Sequence, residues 1–357
     1  MTAPVATLVD VIENHRFDEG ALAGWLDAHV PGFGGPISVR QFQGGQSNPT
    51  FLISAPDRRC VLRKKPPGKL LPKAHQVERE FRIIRALAGT AVAVPQALAL
   101  GEDAEVIGTA FYVMDFVDGR QVDSLALPDL PRDDRASLNF AAVDTLAALH
   151  AVVPEDVGLG DFGPSGGYVA RQVERWTKQY RASSEAGEIA DLTWLADWLR
   201  EHCGVADETT IVHGDYRIGN LCYRRDGPQV SAVLDWELST LGHPLSDLAY
   251  YCMPYHISPT VAGGRGLSGL DFEELGIPRE DQVIAHYCRA SGRASLPDWH
   301  VFLALSFFRL SAILHGVMAR SVLGNASDAN AAEVAQRAGM LAELGRQVAL
   351  SGTNNRY

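Results

Sequence analysis

The chain has 357 residues, of which 46% are hydrophobic and 21% charged, as in a soluble globular protein with one large core or two modest ones. Its formal net charge is −11, and the excess of acid falls after residue 117, since residues 118–357 carry 20 Lys+Arg and 31 Asp+Glu. A surface of this sign argues against nucleic acid as the main partner and suits a cationic substrate or bound metal ions.

Cysteine use and hydropathy predict a cytoplasmic protein that does not enter the membrane. The five cysteines are scattered and form no C-x-x-C pair, which is typical of reduced cysteines in a core. The N-terminus has early acids and no basic run, so we expect no signal peptide. The most apolar stretch, residues 301–317, contains Arg309 and His315 and therefore predicts a buried helix rather than a membrane span. We expect a monomer or a homodimer.

The first third of the chain predicts a sheet interrupted by one helix. Short β-rich runs bounded by Gly, Pro or Asp occur as ISVRQF, TFLISA, CVLRK and AFYVMDF. Between the third and the fourth run, apolar residues recur at helical spacing from Val77 to Leu87, and Gly89 is a suitable end for that helix. We therefore expect an N-terminal lobe, residues 1–117, built on a small antiparallel sheet.

A glycine-rich turn, GGQSNPTF, lies between the first two predicted strands. Its residues Gly44, Gly45 and Ser47 could bring backbone N–H groups close to a phosphate. The turn lacks the G-x-G-x-x-G spacing, so an ordinary hairpin is the alternative interpretation.

One carboxylate of the predicted helix lies on the apolar side of that helix. Glu80 lies on the apolar stripe, whereas Glu78 points to solvent. A buried carboxylate needs a cationic partner, and Arg63 or Lys64 on the preceding strand could supply it. A purely structural ion pair is the alternative.

The rest of the chain predicts a larger helical lobe, residues 118–357, and hence an α+β fold overall. Helical periodicity is found in ASLNFAAVDTLAALHAV, VARQVERWTKQYRAS, LTWLADWLREH, WHVFLALSFFRLSAILHGVMAR and ANAAEVAQRAGMLAELGRQVAL. A β interruption falls at residues 210–234.

The interruption predicts a hairpin with polar residues at its open end. The runs LCY and VSAVLD flank Asp226-Gly227, a strong turn signal. A hairpin centred there places Asn220 opposite Asp235, where two oxygen ligands could share Mg²⁺. Asp215 leads into the same region. An Asx-capped turn is the alternative for the Asp215…Asn220 spacing considered alone.

The chain order of these parts matches the requirements of phosphoryl transfer. VHGDYRIGN followed by AVLDWE resembles the aminoglycoside phosphotransferase superfamily, whose members are small-molecule kinases with a bilobal fold like that of protein kinases. The resemblance covers residues 37–320. A closer one, to the kinase-like domain fused to acyl-CoA dehydrogenase in some animal proteins, is carried by VLRKKPPGKLLPKAHQVEREF, FYVMDFVDGR, RQVERWTKQY and DWELSTLGHPLSDLA.

The resemblance implies a role for each polar residue of the interruption. Asp215 would be the catalytic base that accepts the proton of the substrate hydroxyl. Asn220 and Asp235 would hold Mg²⁺ against the phosphates of ATP. His213 would be a structural member of the catalytic loop, and Asp247 would brace that loop from a following helix.

The N-terminal lobe would then bind the nucleotide. Arg63 stands where the family usually has a phosphate-binding Lys, and Glu80 matches the helix partner of that residue. Asp115, Phe116 and Val117 would form the hinge and offer backbone groups to the adenine.

Two observations bear on the acceptor, a small hydroxylated molecule. The chain has Gly-His-Pro at residues 242–244, where antibiotic kinases usually have Gly-Asp-Pro, and residues 58–73 contain seven Lys or Arg and no acid. The basic run could dock the phosphates of coenzyme A, which fits the hydroxyacyl-CoA acceptor that the resemblance implies. A solvated loop is the alternative for that run.

Three other functions remain open at this point. An aminoglycoside kinase fits the acidic second lobe, and a catalytically inactive nucleotide-binding module fits the replacement of Lys by Arg63. A metal-dependent phosphohydrolase would use His213, Asp215, Asp235 and His243 as ligands.

Overall fold

The computed structural model describes residues 7–43, 48–68, 75–260, 265–322 and 331–352. Gly44, Gly45 and Ser47, the predicted phosphate-binding turn, lie outside the described residues. The strands are β1 (Leu8–Val9), β2 (Ser38–Phe42), β3 (Thr50–Ser54), β4 (Arg59–Lys64), β5 (Ala97–Gly101), β6 (Phe111–Asp115), β7 (Arg120–Gln121), β8 (Thr210–Val212), β9 (Leu221–Tyr223), β10 (Val230–Val233) and β11 (Thr240–Gly242). The helices are α1 (Glu19–His29), α2 (Val77–Leu87), α3 (Ala104–Ile107), α4 (Arg132–His150), α5 (Tyr168–Arg181), α6 (Ala190–His202), α7 (Leu245–Cys252), α8 (Phe272–Leu275), α9 (Glu280–Ser291), α10 (Trp299–Val322) and α11 (Ala331–Gly352).

The chain divides into two compact units, each made of several segments. The first comprises Met1–Asp123, Glu155–Leu159 and Ile218–Ser239, and the second comprises the remainder. This division differs from the single boundary predicted after Val117. It assigns the β9–β10 hairpin to the first unit because β9 pairs with β7 in a three-stranded sheet.

The first unit is built on a six-stranded antiparallel sheet with the order β1-β2-β3-β4-β6-β5. The four strands predicted from β-rich runs are confirmed as β2, β3, β4 and β6. The sequence prediction missed β5, whose segment ALALG has few of the β-branched and aromatic residues that favour strands.

Apolar residues on one face of this sheet form the core of the first unit. Leu22 and Leu26 of α1 are fully buried in one cluster with Phe51, Leu62 and Val113 of the three central strands. Burial of such side chains stabilises a fold by about 2 kcal/mol each. The predicted helix from Val77 to Leu87 is confirmed as α2, and its C-cap is Ala88, one residue before Gly89.

The second unit is mostly helical, with one two-stranded antiparallel sheet of β8 and β11. The five predicted helices are confirmed as α4, α5, α6, α10 and α11. By length and composition α10 could cross a membrane, but 67% of its most apolar window is buried, as in the core helix of a globular protein. Its buried Phe302, Phe307 and Phe308 belong to the core.

Candidate active site

Arg63 forms the centre of the polar cluster in the first unit. Its Nε lies 3.1 Å from Oε2 of Glu80, and its Nη2 donates a hydrogen bond of 3.2 Å to Oδ1 of Asp235. The arginine side chain is 11% exposed and that of Glu80 is 1% exposed, so this ion pair is largely withdrawn from water. One planar guanidinium thus contacts a helix carboxylate and a hairpin carboxylate at the same time.

The partner of Glu80 is Arg63 and not Lys64. Lys64 lies on the opposite face of β4, with its Nζ 5.1 Å from the centroid of the Phe17 ring. Glu80 also accepts hydrogen bonds from Nδ2 of Asn48 at 2.6 Å and from the hydroxyl of Tyr112 at 3.1 Å. Two hydrogen-bond donors and the Arg63 guanidinium therefore surround one buried carboxylate, which fixes its position.

Protonation of Glu80 gives a measurable pH dependence. Burial raises the pKa of Glu80 to about 7, against the opposing charge of Arg63. We expect nucleotide affinity to fall between about pH 8 and about pH 6, because neutral Glu80 holds Arg63 less firmly. The pKa in the folded state lies above the unfolded value of about 4.3, so the contribution of Glu80 to folding stability rises as the pH falls through this window.

We therefore expect nucleotide affinity to fall at low pH without unfolding of the protein. Calorimetric nucleotide titrations at both pH values measure the affinity, and thermal melts at the same pH values measure the stability. Glu80→Gln should bind nucleotide weakly at both pH values. A pH dependence in this variant equal to that of the wild type contradicts the assignment to Glu80.

The β9–β10 hairpin brings Asn220 and Asp235 to one end, but in a register different from the predicted one. Asn220 accepts a hydrogen bond from the N–H of Leu234, not of Asp235. Next to the turn, Val230 pairs with Tyr223, two residues away from the predicted register, and an irregularity between Val230 and Ala232 restores one of these two residues. Asp235 follows the strand with φ 67° and ψ 61°, a left-handed conformation that is rare for a residue with a side chain.

A cavity of about 250 Å³ in the first unit brings most of the predicted nucleotide-binding residues together. Its walls include apolar side chains of the sheet and hairpin, and its polar groups come from three separate segments. The apolar residues are Val61, Met114, Cys222 and Leu234, and the polar ones are Arg63, Asn220 and Asp235. The predicted hinge residues Asp115, Phe116 and Val117 also line this cavity.

The hinge offers fewer backbone donors than its three residues suggest. The N–H of Asp115 donates to the carbonyl of Gln96 at 2.9 Å, and that of Phe116 donates to the carbonyl of Arg59 at 3.4 Å. The side chain of Asp115 is held by Arg58 at 2.8 Å. Within the described part of the chain the N–H of Val117 has no acceptor, so it is the hinge donor that a ligand can use.

Close packing at Gly119 shapes the wall of the cavity behind the hinge. A Cβ atom at this position would overlap the sulfur of Cys222 and the carbonyl oxygen of Tyr223. Only glycine lets the chain leave the hinge this close to the hairpin.

The residues at the hairpin end fit a small divalent cation. An amide oxygen and a carboxylate are the hard oxygen ligands that Mg²⁺ takes, and it normally completes its shell with water and substrate phosphates. Among the described residues, no group of three or more His, Cys, Asp or Glu side chains is arranged to hold a metal. Asn220 and Asp235 would therefore bind the cation together with a nucleotide.

In the second unit, Asp247 of α7 fixes the loop that carries Asp215. Its carboxylate accepts hydrogen bonds from the N–H of His213 at 2.6 Å and of Gly214 at 2.9 Å, and it lies 3.5 Å from Nε2 of His150. Gly214 has φ 81°, which a residue with a side chain rarely adopts. The N–H of Asp215 then donates to Nδ1 of His213 at 3.2 Å.

Replacing Asp247 with Asn should destabilise the protein by about 3 kcal/mol, because an amide group would face backbone donors in a buried site. Burial opposes ionisation of Asp247, but its contact with His150 and its other partners outweigh that effect and lower its pKa. The stability that it contributes is therefore complete above the unfolded pKa of about 3.9 and is lost as the pH falls through the lower folded pKa.

Urea denaturation at neutral pH measures this difference. Asp133→Asn, on an exposed turn of α4, is the matched control and should change stability by less than about 0.5 kcal/mol. Equal stabilities of the two variants would show that Asp247 is not the brace of this loop.

Two groups approach the carboxylate of Asp215 in the second unit. Nε of Arg217 lies 3.4 Å from its Oδ2. Burial raises the pKa of Tyr250, and Asp215, which accepts a hydrogen bond from the tyrosine hydroxyl, raises it further. The candidate base is thus contacted by one cation and one hydroxyl group.

The two histidines that a hydrolase would need as metal ligands have structural roles. Nδ1 of His243 accepts from the N–H of Leu245 at 3.2 Å, as Nδ1 of His213 does from Asp215. An accepting Nδ1 leaves the proton of the neutral ring on Nε2, which then cannot bind a metal. Burial lowers the pKa of His243 to about 4, so its ring is neutral at pH 7.

Sequence reasoning missed several residues that complete these clusters. Asn48 and Tyr112 hold Glu80, and Tyr250 contacts Asp215. Asn48 lies in the GGQSNPTF turn and Tyr112 in the FYVMDFVDGR run, but sequence reasoning assigned no role to either of them. Alternation along β4 and β6 could have placed Tyr112 beside Arg63, because the two residues are partners in the sheet register.

An arginine–glutamate pair, a hinge and a hairpin carboxylate in one cavity are features of a kinase-like phosphotransferase. Residues 38–302 match the phosphotransferase enzyme family, APH, and the chain belongs to this family.

The curated relatives that this chain resembles are longer proteins. Acyl-CoA dehydrogenase family member 10 of Mus musculus is 43% identical over 326 residues, which cover 91% of this chain and 30% of that protein. Acyl-CoA dehydrogenase family member 11 of Homo sapiens is 41% identical over 347 residues, which cover 96% of this chain and 44% of that protein. The chain thus spans less than half the length of these relatives.

Solved structures share the fold. A Ralstonia eutropha protein provisionally assigned as an aminoglycoside phosphotransferase is 46% identical, with a TM-score of 0.85 and coverage of 94% of this chain and 99% of that one. Aminoglycoside phosphotransferase APH(4)-Ia, in a complex with AMP-PNP and hygromycin B, is 16% identical, with a TM-score of 0.56 and coverage of 94% and 99%. The second likeness shows the fold alone.

Proposed function

We propose that the protein is an ATP- and Mg²⁺-dependent kinase that transfers the γ-phosphoryl group to a hydroxyl of a small molecule. The observation that carries this proposal is the Arg63 guanidinium, held by Glu80 and in contact with Asp235, in the cavity that the hinge also lines. Such an arrangement provides positive charge and a metal ligand at one end of a site. At the other end it provides a backbone hydrogen-bond donor for the adenine of a nucleotide.

The proposed roles follow from charge and hydrogen bonding. The N–H of Val117 binds the adenine, and Arg63 binds phosphate oxygens. Asn220 and Asp235 hold Mg²⁺, which when bound neutralises phosphate charge. Asp215 orients the acceptor hydroxyl and takes its proton, while a bond forms between the hydroxyl oxygen and the γ-phosphorus and the bond to the β–γ bridging oxygen breaks, leaving ADP.

For the acceptor we propose a hydroxyacyl-CoA. The similarity to proteins named for acyl-CoA dehydrogenases supports this choice. The basic run at residues 58–73 supports it less, because its described members already have partners. Arg58 contacts Asp115, and Arg59 lies over the ring of Phe116. Arg63 contacts Glu80 and Asp235. Lys64 lies over the ring of Phe17, and Lys65 contacts Glu78.

Nucleotide-dependent thermal stability tests the cation site. AMP-PNP with Mg²⁺ should raise the melting temperature of the wild type by several degrees, since binding at about 100 times Kd contributes about 2.7 kcal/mol. Asp235→Asn should lose the part of that rise that depends on Mg²⁺. Asp226→Asn, in the exposed turn of the same hairpin, is the matched control and should keep it.

Retention of the full magnesium effect by Asp235→Asn would contradict the assigned ligand. A nucleotide-binding module without catalysis would pass this test as well. Measurement of ADP formation with an acceptor present distinguishes the two, because only a kinase forms ADP. The acidic charge after residue 117 favours an aminoglycoside kinase. Comparison of an aminoglycoside with a hydroxyacyl-CoA as the acceptor distinguishes that function from the one proposed.

A further inference from the structure

One arginine lies beside Tyr250, the residue that contacts Asp215, and a second arginine contacts the same tryptophan as the first. The guanidinium carbon of Arg309, on α10, is 5.2 Å from the centroid of the Tyr250 ring and 5.7 Å from that of Trp176. The guanidinium carbon of Arg175, on α5, is 5.0 Å from the same Trp176 ring. Arg309 therefore contacts both Tyr250 and Trp176, and Trp176 in turn contacts Arg175.

The two guanidinium groups repel each other, although Arg175 is exposed to water. In the described part of the chain, neither Arg175 nor Arg309 forms an ion pair with a carboxylate. Nε of Arg309 is buried and finds no hydrogen-bond acceptor among the described residues. Loss of hydration, followed by the like charge of Arg309, lowers the pKa of Arg175. Aromatic faces compensate a guanidinium only partly, by about 0.5–2 kcal/mol.

An anion would satisfy both arginines. Guanidinium groups match carboxylate and phosphate oxygens in geometry, and their hydrogen bonds to such anions are stronger than those between neutral groups. Among the described residues, ring contacts connect Arg309, and through Trp176 also Arg175, to the tyrosine that contacts the base.

We propose that Arg309 and Arg175 bind an anionic group of the phosphoryl acceptor, a carboxylate or a phosphate, while Asp215 receives its hydroxyl. The inference rests on the proposed role of Asp215 and names the substrate class of that site. A polycationic aminoglycoside would meet two like-charged arginines here, so we expect it to bind more weakly than an anionic acceptor.

Binding measurements with defined probes test this proposal. The probes are inorganic phosphate, 3-hydroxybutyrate, 3-hydroxybutyryl-CoA and kanamycin, titrated by calorimetry into the full chain saturated with AMP-PNP and Mg²⁺. Phosphate reports the anion site alone, and comparison of the hydroxy acid with its thioester distinguishes a carboxylate from the phosphates of coenzyme A. Variants Arg309→Met and Arg175→Met each remove one cation, and Arg320→Met removes an exposed arginine of the same helix as a control.

The wild type and Arg320→Met should bind at least one anionic probe equally well, and Arg309→Met and Arg175→Met should bind it at least about tenfold more weakly. AMP-PNP affinity should be the same in all four proteins. Equal affinities for every anionic probe, no anion binding by the wild type, or tighter binding of kanamycin than of any anion would overturn the proposal.

Failure of the proposed function gives a different result. If AMP-PNP does not bind the wild type, the kinase assignment fails. The phosphate titration, repeated without nucleotide, still compares Arg309→Met with Arg320→Met and so tests the anion site independently.

Discussion

Asp215→Asn should lower kcat by a factor of about 10² to 10⁴ with any accepted substrate, the range that a positioned general base contributes. The amide keeps the shape of the side chain and its approach to Tyr250 but cannot take a proton. Because nucleotide-binding groups are assigned to other residues, the Kd of AMP-PNP should stay within about twofold of the wild-type value.

Steady-state kinetics together with calorimetric nucleotide titration measure both quantities. The control is Asp207→Asn, a carboxylate of the second unit that accepts hydrogen bonds from the exposed N–H of Gly167. Turnover by Asp215→Asn at the wild-type rate would show that another group is the base, or that transfer needs none.

Arg63→Met should have the second large effect, on both folding and nucleotide binding. It leaves Glu80 buried without its cation, and removal of one partner from a buried ion pair costs about 3–5 kcal/mol. The variant also lacks the charge assigned to the phosphates, so nucleotide affinity should fall at least about tenfold. Chemical denaturation and calorimetric titration measure the two losses.

The double variant Arg63→Met/Glu80→Gln separates the two effects. Its stability should recover by about 1–3 kcal/mol relative to Arg63→Met, because no buried charge is left unpaired. Its nucleotide affinity should remain low. Recovery of affinity together with stability would mean that Arg63 acts only through folding and does not contact the phosphates.

Periodicity and turn chemistry predicted most of the elements that carry the site. The strand with Arg63, the helix with Glu80 and the hairpin with Asn220 follow from local patterns, because alternation and helical spacing report directly which side faces a core. The inward orientation of the Glu80 side chain was predicted for the same reason and is confirmed by its burial.

Features that depend on tertiary contacts were not predictable in this way. The bulge before Ala232 changes the hairpin register without any glycine or proline to mark it. The choice between Arg63 and Lys64 depends on which face of β4 carries α2, and residues on both faces of that strand are buried.

The acceptor side was the least predictable part. Arg309 lies in an apolar helix, where the sequence indicates only that the helix is amphipathic. Its position beside Trp176 and Tyr250 depends on how three helices pack, and no local pattern contains that information.

Transfer of label from ATP carrying a radioactive γ-phosphoryl group tests the central claim most directly. With Mg²⁺ present, the wild type should transfer label to 3-hydroxybutyryl-CoA, with one ADP formed per labelled product, and Asp215→Asn should not. Kanamycin should remain unlabelled. Labelling of kanamycin without labelling of the thioester would contradict the proposed acceptor, and the absence of transfer to any hydroxylated acceptor by a protein that binds MgATP would contradict the assignment as a kinase.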